Sequence, residues 1–326
     1  MTLKKIDEGI YIDVKKIDKI RKLDSIIFDC DGVLINVSNS YDLAIKKTVD
    51  FITSKFASIK LQVTTEMIDS FKKTGGFNDE VDVTYALILV AMASQKTGKS
   101  FPDLVFEVAK NADSTGIISV EKYLDLLKVD LSEIKKRLVY PAKKFESPLS
   151  SIFDEIFYGT VLYTKLYKKS PQFFDGIGLI ENDVVLVTKD LLQELHKRFD
   201  KNIAIVTGRG AVSAGHSLGS LFDEFNLKNS RFLEDEPREM AKPNPQSLIS
   251  SINGMCASCS MFVGDSMEDY IMARKADESG NLALFCGIYG TSQDPQAKRI
   301  FFEQKGADLV LESICMLPKA LNLVRA

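Results

Sequence analysis

Two aspartates separated by one residue, Asp29 and Asp31, close the apolar run of "SIIFDCDGVLIN" (25–36). Further along, "VTGR" (206–209) brings a hydroxyl at Thr207, followed by Gly208 and Arg209. "AKPNPQ" (241–246) brings Lys242, and "VGDSMED" (263–269) brings Asp265 with Asp269 one helical turn on. Taken singly, each has an ordinary explanation. Asp265 and Ser266 suit a helix cap, Thr207 and Gly208 a turn, Lys242 a solvated charge, and Asp269 a polar position on an exposed helix face. Taken together these explanations fail, because carboxylates gathered at the dry end of a sheet repel one another and are costly without a cation. A bound Mg²⁺ relieves that repulsion, since it prefers carboxylate and carbonyl oxygens, water and phosphate.

Such a grouping needs a scaffold that ends several strands at one place. Short β-rich apolar runs recur at 25–29, 202–208, 260–265, 282–288 and 307–313, and each reads as a buried parallel strand. Helical patterns at 188–199, 244–252, 267–276, 296–306 and 314–324 alternate with them. The alternation predicts a doubly wound α/β fold with a parallel sheet, in which ligands bind beyond the carboxyl ends of the strands at the switch point of strand order. A short strand at "GIYIDV" and a helix are expected before the first core strand.

From 37 to 177 the rhythm changes to helical periods with almost no convincing strand. "SYDLAIKKTVDFITSKF" sets Tyr41, Ile45, Val49 and Ile52 on one face, and 79–95 and 119–138 repeat the pattern. Pro171, Gly176 and Gly178 interrupt it and resemble a hinge. The expected organisation is a core of 1–36 and 178–326, with a helical domain of 37–177 inserted after the first strand.

The ordered set "DCDGVL", "VTGR", "KP" and "GDSMED" closely resembles the haloacid dehalogenase superfamily, and specifically its phosphatase branch. The resemblance covers the core, and the insert matches in position and kind a helical type 1 cap of the subfamily IA sort, usually a bundle over the site. It implies a Rossmann-like core and an aspartyl-phosphate mechanism. Asp29 would be the nucleophile and Asp31 the acid and base. Thr207 and the following N–H would hold phosphoryl oxygens, and Lys242 would neutralise charge. Asp29, the Asp31 carbonyl, Asp265 and Asp269 would serve Mg²⁺. An aspartate at position 31 argues for phosphate esters, because the dehalogenase and phosphonatase branches lack it.

These features imply a Mg²⁺-dependent phosphatase acting on a small phosphorylated metabolite. A phosphomutase would share every core residue. A non-enzymatic phosphoryl-binding or interaction protein, including a receiver-type module, is the alternative from another class, although receiver domains lack a large helical insert after the first strand and place their acids differently. Within the insert, "FKKTGGFNDE" (71–80) offers Lys73, Gly76 and Asn78 to an anionic or hydroxylated substrate; a helix C-terminus with a glycine cap fits the segment equally well. Arg209 either reaches a substrate carboxylate or phosphate or pairs with an acid on the surface.

With 45% apolar residues, 27% charged residues and a formal net charge of -3 in 326 residues, nothing favours nucleic acid or an anionic membrane as partner. The longest apolar run, "YALILVAMA" (85–93), is too short to span a bilayer, so a cytoplasmic location is expected. Cys256 and Cys259 form a C-x-x-C with no second pair of ligands nearby and read as ordinary thiols. Cys30, buried between two carboxylates, should have a raised pKa and little reactivity.

Overall fold

Strands that are apolar at every position must be covered on both faces. In the computed structural model, which describes residues 3–58, 60–77, 79–142 and 145–324, the strands are β1 (Lys4–Asp7), β2 (Ile10–Ile12), β3 (Ser25–Phe28), β4 (Ile35–Asn36), β5 (Val184–Val185), β6 (Ile203–Thr207), β7 (Arg231–Phe232), β8 (Ser260–Gly264), β9 (Ala283–Ile288) and β10 (Leu309–Leu311). Every residue of β3, β6, β8 and β9 is buried. Phe262 and Phe285 stand in register on β8 and β9, and burying each ring contributes about 2 kcal/mol.

The main sheet has the order β1-β2-β10-β9-β8-β3-β6-β7. From β7 to β10 all neighbours are parallel, and the β1–β2 hairpin adds an antiparallel edge through β2 and β10. The chain runs outward from β3 to β6 and β7, then returns to β8 on the other side of β3 and continues to β9 and β10. The order therefore reverses between β3 and β8, where an open α/β sheet binds its ligands. This is the expected α/β architecture with a mostly parallel central sheet.

The departures are short elements. "GIYIDV" forms β2, but β1 was not foreseen, and β4, β5 and β7 span two residues each, too few to display a period. The helix Ala211–Leu218 follows β6 without forewarning, because its Ala-, Ser- and Gly-rich run carries no apolar stripe. Among the described residues, no helix is long and apolar enough to cross a membrane.

The chain divides into two compact units, Met1–Asn36 with Val184–Ala326, and Val37–Asp183. The second boundary lies six residues beyond the expected 177. Leu179 and Ile180 are buried with the helical core, so the segment after the glycines belongs to the helices.

In the helical unit Glu80–Thr97 is buried on every face, from Val81 through Ser94, and serves as the central helix. Ile45, Val49 and Ile52 of Tyr41–Ala57 are fully buried, and Tyr41 stacks on Phe157 at 4.3 Å between ring centres. The expected pattern over 119–138 resolves into two helices, Ile117–Leu126 and Ser132–Leu138. The buried Glu155 carboxylate accepts hydrogen bonds from the backbone N–H groups of Gln172, Phe173 and Phe174, which pins the chain leaving Pro148–Tyr167.

Candidate active site

The turn after β3 sets the first two carboxylates. Asp29 is still within the sheet, its N–H donating to Val263 O of β8 at 2.9 Å. The Cys30 N–H donates to Asp29 Oδ1 at 2.8 Å, and the Cys30 carbonyl accepts from Val33, Leu34 and Ile35. Cys30 thus works through its backbone. Its thiol is pushed far up by burial and by Asp31 and Asp29.

Gly32 has φ +72°, a conformation glycine adopts without strain. A Cβ there would fall 2.4 Å from the Asp265 carboxyl, so the turn can approach that carboxylate only as glycine. This close approach places the β3 turn directly against the end of β8.

Lys242 joins Asp29 to Asp269. Its Nζ lies 2.8 Å from Asp29 Oδ1 and 2.7 Å from Asp269 Oδ1, and all three side chains are largely or wholly buried. Burial, with Asp269 and Asp31 nearby, pushes the Asp29 carboxyl up to about 8 against the pull of Lys242. Burial alone would lower the Lys242 ammonium, but Asp269 and Asp29 hold it well above its usual range.

Asp269 is fully buried and also caps its own helix. Its Oδ2 accepts from Asp265 N–H at 3.1 Å, Ser266 N–H at 3.0 Å and Ser266 Oγ at 2.7 Å, while its N–H donates to Ser266 Oγ. This capping box starts Met267–Glu278, so Asp269 braces the loop that presents Asp265. The helix-cap explanation weighed for Asp265 with Ser266 belongs to Asp269 with Ser266.

Thr207 ends β6 fully buried, and a side chain added at Gly208 would meet open space. Arg209 is only 2% exposed. Its Nε donates to Asp31 Oδ1 at 2.5 Å and its Nη1 to Ser217 Oγ at 2.8 Å. Arg209 does pair with an acid, but not on the surface as expected: it is buried, and the acid is Asp31 at the end of β3. Glu234 and Asp235 accept from Gly210 and Ala211 N–H, capping the helix that follows.

The carboxylates of Asp29, Asp265 and Asp269 bring one oxygen each within 4.8 Å of one another. Hard oxygen donors at this spacing, one of them a carboxyl raised by burial and then by its carboxylate neighbours, fit a divalent cation such as Mg²⁺. Two further groups reach this end of the sheet from the segment after β9. Lys298 Nζ is 2.7 Å from Asp265 Oδ2, and Thr291 Oγ1 donates to Gly32 O at 2.8 Å. Neither was foreseen. A lysine four residues into Pro295–Lys305, near the helix end that disfavours cations, is the one local signal for it.

The candidates on the insert stand within the helical unit. Lys73 is exposed at the end of Thr65–Lys72. Gly76 packs on Gly116, where a Cβ would lie 2.5 Å from Gly116 N, so backbone contact alone requires the glycine. Asn78 lies outside the described residues. Cys256 and Cys259 are free, the first exposed and the second buried.

The chain is similar to known proteins. Among solved structures, phosphatase Tt82 from Thermococcus thioreducens is similar at 22% identity, covering 86% of this chain and 99% of its own, with a TM-score of 0.59. A structural genomics target, ZR25, is similar at 17% identity over 92% of this chain and 98% of its own, with a TM-score of 0.60. These likenesses are of fold. An imidazoleglycerol-phosphate dehydratase from Phytophthora nicotianae is 25% identical over 292 residues, 88% of this chain; the chain spans about half the length of that curated relative. The model of the haloacid dehalogenase-like hydrolases matches residues 23–277, taking in both aspartates of the β3 turn, Thr207, Lys242 and the Asp265 loop. The chain belongs to the haloacid dehalogenase-like hydrolases.

Proposed function

We propose that the protein is a Mg²⁺-dependent phosphatase that hydrolyses a phosphate monoester of a small metabolite. The observation that carries this reading is the β3 turn. It supports one buried carboxylate, Asp29, on Lys242, and a second, Asp31, two residues on and held by Arg209.

In this reading Asp29 attacks phosphorus in line, forming an acyl–phosphate bond as the bond to the ester oxygen breaks. Asp31 in its protonated form gives its proton to that departing oxygen. The same group, now a carboxylate, takes a proton from water, whose oxygen attacks phosphorus and releases inorganic phosphate and the Asp29 carboxylate. Thr207 and the Gly208 N–H bind phosphoryl oxygens. Lys242 offsets charge on Asp29 and on the transferring group, as preorganised cations do in phosphoryl transfer. Arg209, paired with Asp31 and Ser217, acts as a positioning residue that aims the acid.

Asp29, Asp265 and the Asp31 carbonyl would hold Mg²⁺, with Asp269 bracing the loop that carries Asp265. When bound, the ion supplies charge neutralisation at the phosphoryl oxygens. In chain order the helical unit takes the place of the cap insertion.

Release of inorganic phosphate from a panel of sugar phosphates, phosphoglycolate and amino-acid-pathway phosphate esters, with Mg²⁺ or with a chelator, tests the reading. Imidazoleglycerol phosphate joins the panel because the dehydratase relative is named for it. Mg²⁺-dependent turnover of at least one ester, abolished in Asp29→Asn, is expected. No Mg²⁺-dependent release from any ester would overturn it.

A further inference from the structure

The carboxylates at the strand ends carry one more ammonium than the phosphatase reading uses. Asp29 and Asp269 share Lys242, whereas Asp265 has its own cation in Lys298, at 2.7 Å with both side chains 22% exposed. Asp294 caps the helix through the Ala297 N–H at 2.9 Å, Pro295 opens it, and a positive charge so near the helix N-terminus opposes the dipole. The favourable partner is Asp265, from a different strand end.

The segment is also tied to the site. Thr291 bonds the Gly32 carbonyl, and Gly32 in turn packs so closely on the Asp265 carboxyl that no Cβ fits between them. Lys298 and the Gly32 turn thus hold one carboxylate between them.

Counting charge decides what such a lysine does when a dication arrives. Among the described residues, Lys242 and Lys298 are the two ammoniums paired with the three carboxyl groups of Asp29, Asp265 and Asp269. A divalent ion with Lys242 alone balances the three carboxylates; with Lys298 still in place the cluster becomes positive. We propose that Lys298 is a resident counter-ion for Asp265, pairing with that carboxylate in the metal-free protein and yielding it to the divalent cation when one binds. The inference rests on the Mg²⁺-dependent reading above. Its consequence is a site that stays folded and near-neutral without metal and binds metal more weakly than its carboxylates alone would.

A second-sphere anchor, which orients a ligand and raises metal affinity, predicts the reverse effect of removing the lysine. The test uses the full chain with Lys298→Met, which keeps the apolar stem, Lys298→Arg, and Asp265→Asn. Mn²⁺ binding is followed by the free-ion electron paramagnetic resonance signal, Mg²⁺ binding by calorimetry, and stability by thermal unfolding with and without Mg²⁺.

Lys298→Met should bind both ions about fivefold more tightly than wild type, the scale of a partly exposed ion pair. Lys298→Arg should bind no more tightly than wild type. Without metal, Lys298→Met should unfold at a lower temperature and gain more from Mg²⁺ than wild type does. Equal or weaker binding by Lys298→Met, with binding by wild type intact and lost in Asp265→Asn, would sink the counter-ion role and leave the phosphatase reading standing. Absence of Mn²⁺ and Mg²⁺ binding by wild type would sink both.

Discussion

Lys242 and Lys72 each stand between two carboxylates, one in the α/β unit and one among the helices. Lys242 is 2.8 and 2.7 Å from its partners Asp29 and Asp269, and its side chain is 11% exposed. Lys72 is 4.0 and 3.5 Å from Asp42 and Glu80, and 35% exposed. Lys72 is more exposed than Lys242 and its contacts are longer, so each of its ion pairs is the weaker kind. Around Lys242 both partners are buried, and beyond backbone N–H groups and the Ser266 hydroxyl it is this lysine that answers their charge. The contrast teaches that a lysine among acids marks a site only where alternative solvation is missing.

Mutations can break this contrast. The largest effect is expected from Asp29→Asn, which removes the proposed nucleophile and should lower kcat about a thousandfold or more, measured as phosphate release on the best ester of the panel. Turnover near that of wild type would remove Asp29 from the chemistry.

Next comes Lys242→Ala. It should cost about a hundredfold in kcat. Because it leaves the buried Asp269 and Asp29 facing each other, it should also cost about 3 kcal/mol of stability in denaturant unfolding. Lys72→Ala should cost less than about 1 kcal/mol. Equal losses would mean that the two lysines differ in distance but not in kind.

Gly76→Ala sharpens the reading of the helical unit. A Cβ meeting the Gly116 backbone should destabilise that unit by about 2 kcal/mol, visible as faster amide exchange across Thr65–Lys72 and Ile117–Leu126. Unchanged exchange with a raised KM would instead place Gly76 against substrate.

The smallest effects concern the thiols. Cys256 and Cys315 are exposed, whereas burial holds Cys30 and Cys286 far above the usual thiol range and Cys259 is pushed up to about 11. At neutral pH an aromatic disulfide reagent should label two thiols in the native protein and five after unfolding. Cys30→Ser should keep its activity.

Much of this is legible in the sequence. The strands β3, β6, β8 and β9 announced themselves because fully buried parallel strands are continuous apolar runs, and the strand-end residues followed from the ends of those runs. Ile45, Val49 and Ile52 declared their helix face by spacing. The two-residue strands and the helix Ala211–Leu218 stayed hidden because each is held by its neighbours and carries no period of its own.

The amino-acid sequence by itself therefore determined the α/β alternation, the helical insert and the residue types that close the central strands, since all of these are local patterns. Only the tertiary structure decided the partners. Arg209 reaches Asp31 across 178 residues and Lys298 reaches Asp265 across 33, while Asp269 turns its second oxygen back onto its own helix cap. Long side chains choose among charges by distance and exclusion of water, and those quantities exist only once the strand ends have been brought together.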